Sequence, residues 1–334
     1  MNMSRPREDA AGRVREQLSA RLMEVYGVQL GDQVLESMTA PKQLAYWENP
    51  LRPSEAELPG RPLDGVAGMR LLDGVQAADF AACDPVVTGS WYIMNPSSAW
   101  AADQLGVHPD QEVLDLAAAP GGKTLLLAAG MANQGRIAAV DSVRSRFHRM
   151  RANLERCGVT IADFYLADGR GIGRKVPERF DAVLLDAPCS SEARIRWDDA
   201  STYAHWKPRK LKETSRKQRA LIRSAFAALK PGGTLLYCTC SFAPEENELV
   251  VQRLLDAEPS ARPMALAAPP VAWMPGITSW RKRVLDESLV HAVRILPDAV
   301  WDGFFACLLK KLPGEASSAE DETEERDERE QRER

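Results

Sequence analysis

Four short clusters in this 334-residue chain hold side chains able to do chemistry: Asp141, Asp168-Gly169-Arg170, Asp186-Ala187-Pro188-Cys189-Ser190 and Cys238-Thr239-Cys240-Ser241. Each follows an apolar run of strand length. An acid so placed can accept hydrogen bonds from both hydroxyls of a ribose, and a thiol can act as nucleophile, redox partner or metal ligand. A single acid after a strand is as often a cap or turn residue, so the weight rests on four loaded ends together. Zinc takes about four ligands, and His108, His148, His205 and His291 stand at no ligand spacing from the cysteines, so no metal is expected. Cys238 lies within its apolar run and reads as a core thiol; Cys240, just beyond it, is placed to face a cleft.

A cradle for a ligand lies upstream, where the apolar run Val113–Leu116 gives way to Ala117-Ala118-Ala119-Pro120-Gly121-Gly122-Lys123-Thr124. Glycines let backbone N–H groups approach a ligand closely, and the helix opening at Lys123 offers its positive end. A phosphate-binding loop would need a glycine at Ala117, and no G-x-G-x-x-G fingerprint is present. A Rossmann-like turn holding another nucleoside cofactor remains.

Strand-length runs (Val113–Leu116, Arg136–Val140, Asp163–Leu166, Ala182–Leu185, Thr234–Cys238) alternate with helical patterns near Lys123–Ala129, Val143–Cys157, Leu211–Leu229 and Pro244–Ala257. That alternation predicts an α/β fold, a parallel sheet with helices on both faces and a site at the carboxyl ends of the strands. Val293–Leu296 and Phe304–Leu309 are expected to pair as an antiparallel edge. Upstream, Ala10–Met38 reads as two short amphipathic helices, Ala40–Asp84 as a proline-interrupted α+β module, and Tyr92–Gly106 as a helix leading into the main domain. Three regions follow: 1–90, an N-terminal module; 91–312, the main domain; and 313–334, a disordered acidic tail.

The composition, 45% hydrophobic with no run approaching the ~20 apolar residues of a membrane span, predicts no membrane contact. Without an apolar signal core near the start, and with six cysteines read as reduced thiols, a cytoplasmic protein is expected. The net charge of −4 hides a contrast, because residues 315–334 carry ten acids and four arginines, leaving the rest at +2. Arg194–Arg219 has nine Lys/Arg against three acids, interleaved with Trp197, Tyr203 and Trp206. Such a stretch suits either a nucleic-acid surface or a solvated helix face.

Leu114–Thr124, Asp186–Ser190, Thr239-Cys240-Ser241 with Pro244-Glu245-Glu246-Asn247-Glu248, and Asp302-Gly303-Phe304-Phe305 resemble, in order, the motifs of the Sun (NSUN/RsmB-type) RNA cytosine-5 methyltransferases. The resemblance covers about Tyr92 to Lys311. It implies a Rossmann-like methyltransferase domain with a mostly parallel seven-stranded sheet, S-adenosylmethionine as cofactor, an RNA-binding N-terminal module, and rRNA or tRNA as substrate; a monomer is expected. Carried over by position, it gives Ala117, Ala118, Ala119, Pro120, Gly121, Gly122 and Lys123 the methionine end of the cofactor. Asp141 takes the ribose and Asp168 the adenine edge, and Arg146, Gly169 and Asp186 are also expected to bind the cofactor. Cys240 becomes the nucleophile and Cys189 the thiol that helps release product, while Asp186 and Lys123 hold the target base.

The implied chemistry explains the residue types. Carbon 5 of cytosine is too poor a nucleophile to take a methyl group until a thiolate adds to carbon 6. A protonated Asp186 would stabilise charge at ring nitrogen 3, and Lys123 is the one nearby cation the sequence offers to lower the Cys240 pKa. Two departures stand out: Ser191, where the family usually has glycine, and Met94-Asn95-Pro96-Ser97-Ser98, where it tends to have Gln-Asp before the serines. No further RNA-binding domain is expected after 304–309. The rivals are an NTPase using Lys123, Thr124 and Asp186, a DNA-type enzyme using Cys189 as nucleophile, and a non-catalytic RNA-binding assembly factor.

Overall fold

The computed structural model describes residues 5–204 and 206–313, with side chains from residue 12 onward. The acidic tail expected over 313–334 lies, from residue 314 on, outside the described residues.

The chain opens with α1 (Arg5–Ser37), which breaks at Gly27 (φ 75°), so that the two expected helices are its two arms. A four-stranded antiparallel sheet follows, built from β1 (Leu44–Glu48), β2 (Arg61–Pro62), β3 (Met69–Leu72) and β4 (Trp91–Ile93) in the order β2-β3-β1-β4. Short helices α2 (Ala77–Ala81) and α3 (Asp84–Thr88) lie between β3 and β4. The first sheet therefore reaches Ile93, past the expected start of the main domain at residue 91, and the helix expected over Tyr92–Gly106 is shorter, α4 (Pro96–Asp103). Pro96 at its first turn and the Asn95 side chain, which accepts from the Ser97 N–H, fix where it starts.

Among the described residues the main sheet has nine strands, where seven were expected. Its parallel centre is β9-β8-β5-β6-β7: β5 (Glu112–Asp115), β6 (Arg136–Asp141), β7 (Ala162–Leu166), β8 (Phe180–Asp186) and β9 (Leu229–Thr239). Crossovers run through α5 (Gly122–Gly130), α6 (Arg144–Arg156), α7 (Ile172–Lys175) and α8 (Pro208–Ala228). Val113, Leu114, Ile137, Val183, Leu184, Leu235 and Leu236 have no solvent exposure, as strands covered on both faces require. Each such side chain contributes roughly 1.5–3 kcal/mol by leaving water.

After α9 (Glu248–Leu255), the chain adds β10 (Ala261–Met264), β11 (Trp273–Pro275), the hairpin β12 (Ser279–Trp280) and β13 (Arg283–Val284), then β14 (Val293–Ile295) and β15 (Phe304–Lys311). β14 and β15 pair antiparallel as expected, but they form no edge: β15 lies between β9 and β14, and β11 lies outside β14. β10 and β11, Ala-Arg-Pro-Met and Trp-Met-Pro, lack the apolar alternation that marks a strand and take their conformation from the strands they pair with. Among the described residues, no helix is long and apolar enough to cross a membrane.

Candidate active site

The turn after β5 is pinned by backbone bonds from Leu116 N–H to Leu184 O (3.0 Å) and from Ala118 N–H to Val140 O (2.9 Å). Gly121 caps α5 at φ 107°, a conformation that favours glycine, and a Cβ on Gly122 would lie 2.9 Å from the Tyr92 ring. Ala117–Pro120, Gly122 and Lys123 form one wall of a cavity of about 150 Å³, which Tyr92, Ser98, Asp115, Asp186 and Arg194 help to close.

Asp141, buried at the end of β6, accepts from the Val143 N–H (2.8 Å). Arg146 reaches back to the Ala119 carbonyl (2.7 Å) and lies 3.5 Å from the other Asp141 oxygen, joining the ribose candidate to the glycine-rich turn. Asp141, Arg146, Asp168 and Gly169 do not line this cavity, nor do Cys189 and Cys240. Asp168 is exposed and tied to Arg170 (2.5 Å), whose guanidinium holds its carboxyl below the usual carboxylate range. Gly169 is a close-packing position, where a Cβ would lie 2.9 Å from Leu221 and 3.0 Å from Leu116.

β8 and β9 are neighbours in parallel, and their ends bring Cys189 and Cys240 together with Sγ atoms 3.4 Å apart. The hydrogen bond from Cys189 brings the Cys240 pKa down to about 7, against the effect of burial and with further help from Arg194. Cys189 moves the opposite way, well up, because of that same contact and its burial. These directions favour Cys240 over Cys189 as the thiolate of the pair, against the DNA-type role for Cys189. Cys238 is fully buried and its pKa is raised by burial, as befits a core thiol.

Lys123 is not the cation that serves Cys240. Its ammonium is 2.7 Å from Asp186 and donates to Ser98 (3.1 Å) over the Phe304 ring. The Asp186 pair raises the Lys123 pKa in spite of burial. One Asp186 oxygen accepts from Lys123 (2.7 Å) and the other from the Cys238 thiol (3.8 Å). The NTPase reading also weakens: Lys123 is occupied, and the Thr124 hydroxyl donates to Asp115 (2.7 Å), leaving neither directed at phosphate or Mg²⁺.

Arg194, at the cavity rim, is the cation that sequence reasoning missed. Its own pKa is raised first by Cys240 and next by Asp186 and Asp302, against the effect of burial. Arg194→Gln is expected to raise the Cys240 pKa and, with Cys240 reacting as a thiolate as proposed below, to move the low-pH limb of the rate profile to higher pH. Each unit of that shift costs about tenfold in rate below the pKa and little well above it. A pH–kcat/KM series checks this; parallel losses at pH 6 and pH 9 would contradict it.

Behind the thiols lies a buried network that the sequence did not disclose. Glu246 accepts from the Ser190 hydroxyl (2.5 Å) and N–H (3.0 Å), and Ser190 lies 3.2 Å from the Ser241 hydroxyl. Glu192 accepts from Ser241 (3.2 Å), the Phe242 N–H (3.1 Å) and Trp206 Nε1 (3.0 Å). Two carboxylates and two serines thus tie the Cys189 and Cys240 loops to each other. Burial, followed by the nearby Glu246, raises the Glu192 pKa to about 7. Ser191, at the position where the resembling family usually has glycine, is left-handed, with φ 59°. The Trp206 and Tyr203 rings turn inward to pack with Leu18, Leu22 and Tyr26, so these two aromatics are core and not a stacking surface, whereas Lys207 and Arg209 face solvent.

Residues 102–310, more than half of the chain, match the family model described as 16S rRNA methyltransferase RsmB/F. The chain belongs to that family. RsmB/F enzymes are S-adenosylmethionine-dependent RNA methyltransferases, and the Rossmann-like sheet is the fold they share. Ribosomal RNA small subunit methyltransferase F of Erwinia tasmaniensis is 46% identical over 177 residues, covering 52% of this chain and 37% of that protein. The Escherichia coli O139:H28 protein of that name is 40% identical over 227 residues, 67% of this chain and 46% of the relative. The RsmB/F chain thus spans less than half of either relative's length. A crystal structure of a methyltransferase homologue from Pyrococcus horikoshii superposes with a TM-score of 0.77 at 29% identity, covering 93% of this chain and all of that one. The RsmB/F cofactor fits the cavity: fully buried Asp115 lines it with Oδ1 unpartnered, and Gly122 leaves room that a Cβ would fill.

Proposed function

We propose that this chain transfers a methyl group to carbon 5 of a cytosine in RNA, rRNA first and tRNA second, through a covalent adduct on Cys240. The observation that carries the reading is the thiol pair at adjacent strand ends, 3.4 Å apart, with one pKa lowered and the other raised. Bound S-adenosylmethionine supplies an electrophilic methyl group on a sulfonium. Asp115 Oδ1 would accept from the methionine ammonium, Ala117–Gly122 would line the methionine end, Asp141, braced by Arg146, would take the ribose, and Asp168 and Gly169, outside the cavity, would border the adenine edge.

The Cys240 thiolate adds to carbon 6 of the base, forming an S–C bond and moving electron density toward ring nitrogen 3 and carbon 5. The Lys123 ammonium stabilises that charge, while its Asp186 partner accepts from the amine on ring carbon 4. Once carbon 5 is methylated, its proton leaves to a base, the ring double bond re-forms and Cys240 departs as a thiolate. Cys189, still protonated, donates to that sulfur and makes it a better leaving group. Residues 1–90 are proposed to help deliver RNA to the 91–312 domain, in a cytoplasmic, monomeric enzyme. Bisulfite sequencing of total RNA with and without the gene tests this reading: one protected cytosine should vanish with the gene, and an unchanged map would overturn it.

Asp115 links cofactor to stability. Burial raises its pKa to about 7 from an ordinary 3.8, with the Thr124 hydrogen bond opposing. The folded chain therefore holds this proton more tightly than the unfolded one, and stability falls as pH rises from about 4 to about 7. Asp115→Asn is expected to raise the cofactor-free protein's stability at pH 8 by roughly 4 kcal/mol at most, with no gain near pH 3. The same change should weaken S-adenosylmethionine about 10- to 100-fold by removing a charged acceptor. Denaturant melts and calorimetric titration read the two effects; unchanged cofactor affinity would remove Asp115 from the site.

A further inference from the structure

Away from the catalytic cavity, an open groove runs between α8, the start of α9 and the β12–β13 hairpin, with Lys212, Arg219, Lys282 and Arg283 on its walls. Along α8, Lys212, Arg216, Arg219 and Arg223 recur at i, i+4, i+7 and i+11, so they share one face and form a stripe about 16 Å long. With Lys282 and Arg283, that makes six cations.

The acids nearby are already committed. Glu245, on the groove wall, pairs with Arg21 (2.6 Å), Glu24 pairs with Arg281 (2.8 Å), and Asp256 lies 3.6 Å from Arg253. None of the six cations has an acidic partner among the described residues, and the Arg219 Nε is buried without any hydrogen-bond partner. Burial, then the charges of Arg253, Arg283, Arg216 and Arg223, lower the Arg219 pKa, the mark of cations crowded without an anion. Such crowding costs free energy until a polyanion neutralises it.

We propose that this groove binds the phosphate backbone of RNA, as a contact surface separate from the cavity that holds the target base. The stripe is long enough to follow several phosphates of one strand, and arginine forks suit phosphate oxygens. The groove also sits on the outer side of the walls that hold the catalytic loops. Gln218, beside Arg219, turns inward to the Pro188 carbonyl (3.0 Å), and Glu246, beside Glu245, holds Ser190. RNA lying in the groove would therefore be registered against the two cysteine loops. Three of the six cations, Lys212, Arg216 and Arg219, come from the basic stretch noted in the sequence; Arg223 follows on the same helix, and Lys282 and Arg283 come from a hairpin more than 60 residues downstream.

The inference rests on RNA being the substrate. The test uses the full chain and a mixed-sequence RNA hairpin, comparing wild type with R216Q/R223Q/K282Q/R283Q, four changes at exposed positions, over a KCl series. The slope of log K against log[KCl] is expected to become shallower by about 3, with at least tenfold weaker binding at 100 mM KCl. Melting temperature should not fall, and S-adenosylmethionine affinity should be unchanged. An unaltered slope in a variant whose parent binds and methylates RNA would overturn the groove alone. Failure of the parent to bind or methylate any RNA would overturn the substrate reading and the groove with it.

Discussion

Cys240→Ser should lower methyl transfer to RNA by at least about 10³-fold while leaving S-adenosylmethionine binding and the fold unchanged. The size follows from what the sulfur does. A serine hydroxyl at the same place is not appreciably ionised at neutral pH, whereas the Cys240 pKa is held near 7 by the Cys189 hydrogen bond and the Arg194 charge. An alkoxide is also a poorer leaving group when the adduct must break down. Stability should hardly move, because Cys240 is only partly buried and serine fills nearly the same volume. Single-turnover transfer of a labelled methyl group reads the loss directly. Wild-type rates in the serine variant would end the proposal that Cys240 is the nucleophile.

Cys189→Ala should have a different signature: RNA attached covalently to the protein. Methyl transfer within one turnover should persist, since the nucleophile remains, but turnover should fall about 10²-fold because the departing Cys240 sulfur has lost its donor at 3.4 Å. The same loss should raise the Cys240 pKa, as the Cys189 contact is the largest influence lowering it. The rate of adduct formation should therefore fall below pH 7 and recover at higher pH. A slow-migrating, protease-sensitive RNA band on a denaturing gel is the expected result. Loss of both adduct and first-turnover methylation would instead place the nucleophile at Cys189.

The strand ends were legible because parallel strands buried on both faces are written as unbroken apolar runs, so that Asp141, Asp186 and Cys240 stand out where the run stops. The turn at Gly121-Gly122 was legible for a similar reason, since few residues but glycine tolerate φ 107°. Three contributors were hidden. Asp115 sat inside the expected strand Val113–Leu116, and only its pairing with Thr124 on one oxygen leaves the other, Oδ1, buried without a partner. Arg194 belonged to a long basic stretch, and its neighbourhood with Cys240 depends on how the segment after β8 folds under α1. Glu192 reads as an ordinary surface acid until Trp206 and Ser241 close over it. In the same stretch, the interleaved aromatics suggested stacking on bases, but Trp206 and Tyr203 had an apolar helix to cover and turned inward. The extra strands β10 and β11 were illegible because their pairing is imposed by β15 and β14.

The most direct test of the covalent mechanism uses RNA containing 5-fluorocytosine at the target position, incubated with the wild-type protein and S-adenosylmethionine. Fluorine at carbon 5 cannot leave as a proton would, so the adduct is trapped after methyl transfer. Peptide mass spectrometry should find the modified, methylated nucleotide on the peptide carrying Cys240 and none on the peptide carrying Cys189. Attachment at Cys189, or methylated RNA with no protein-linked intermediate, would contradict the account.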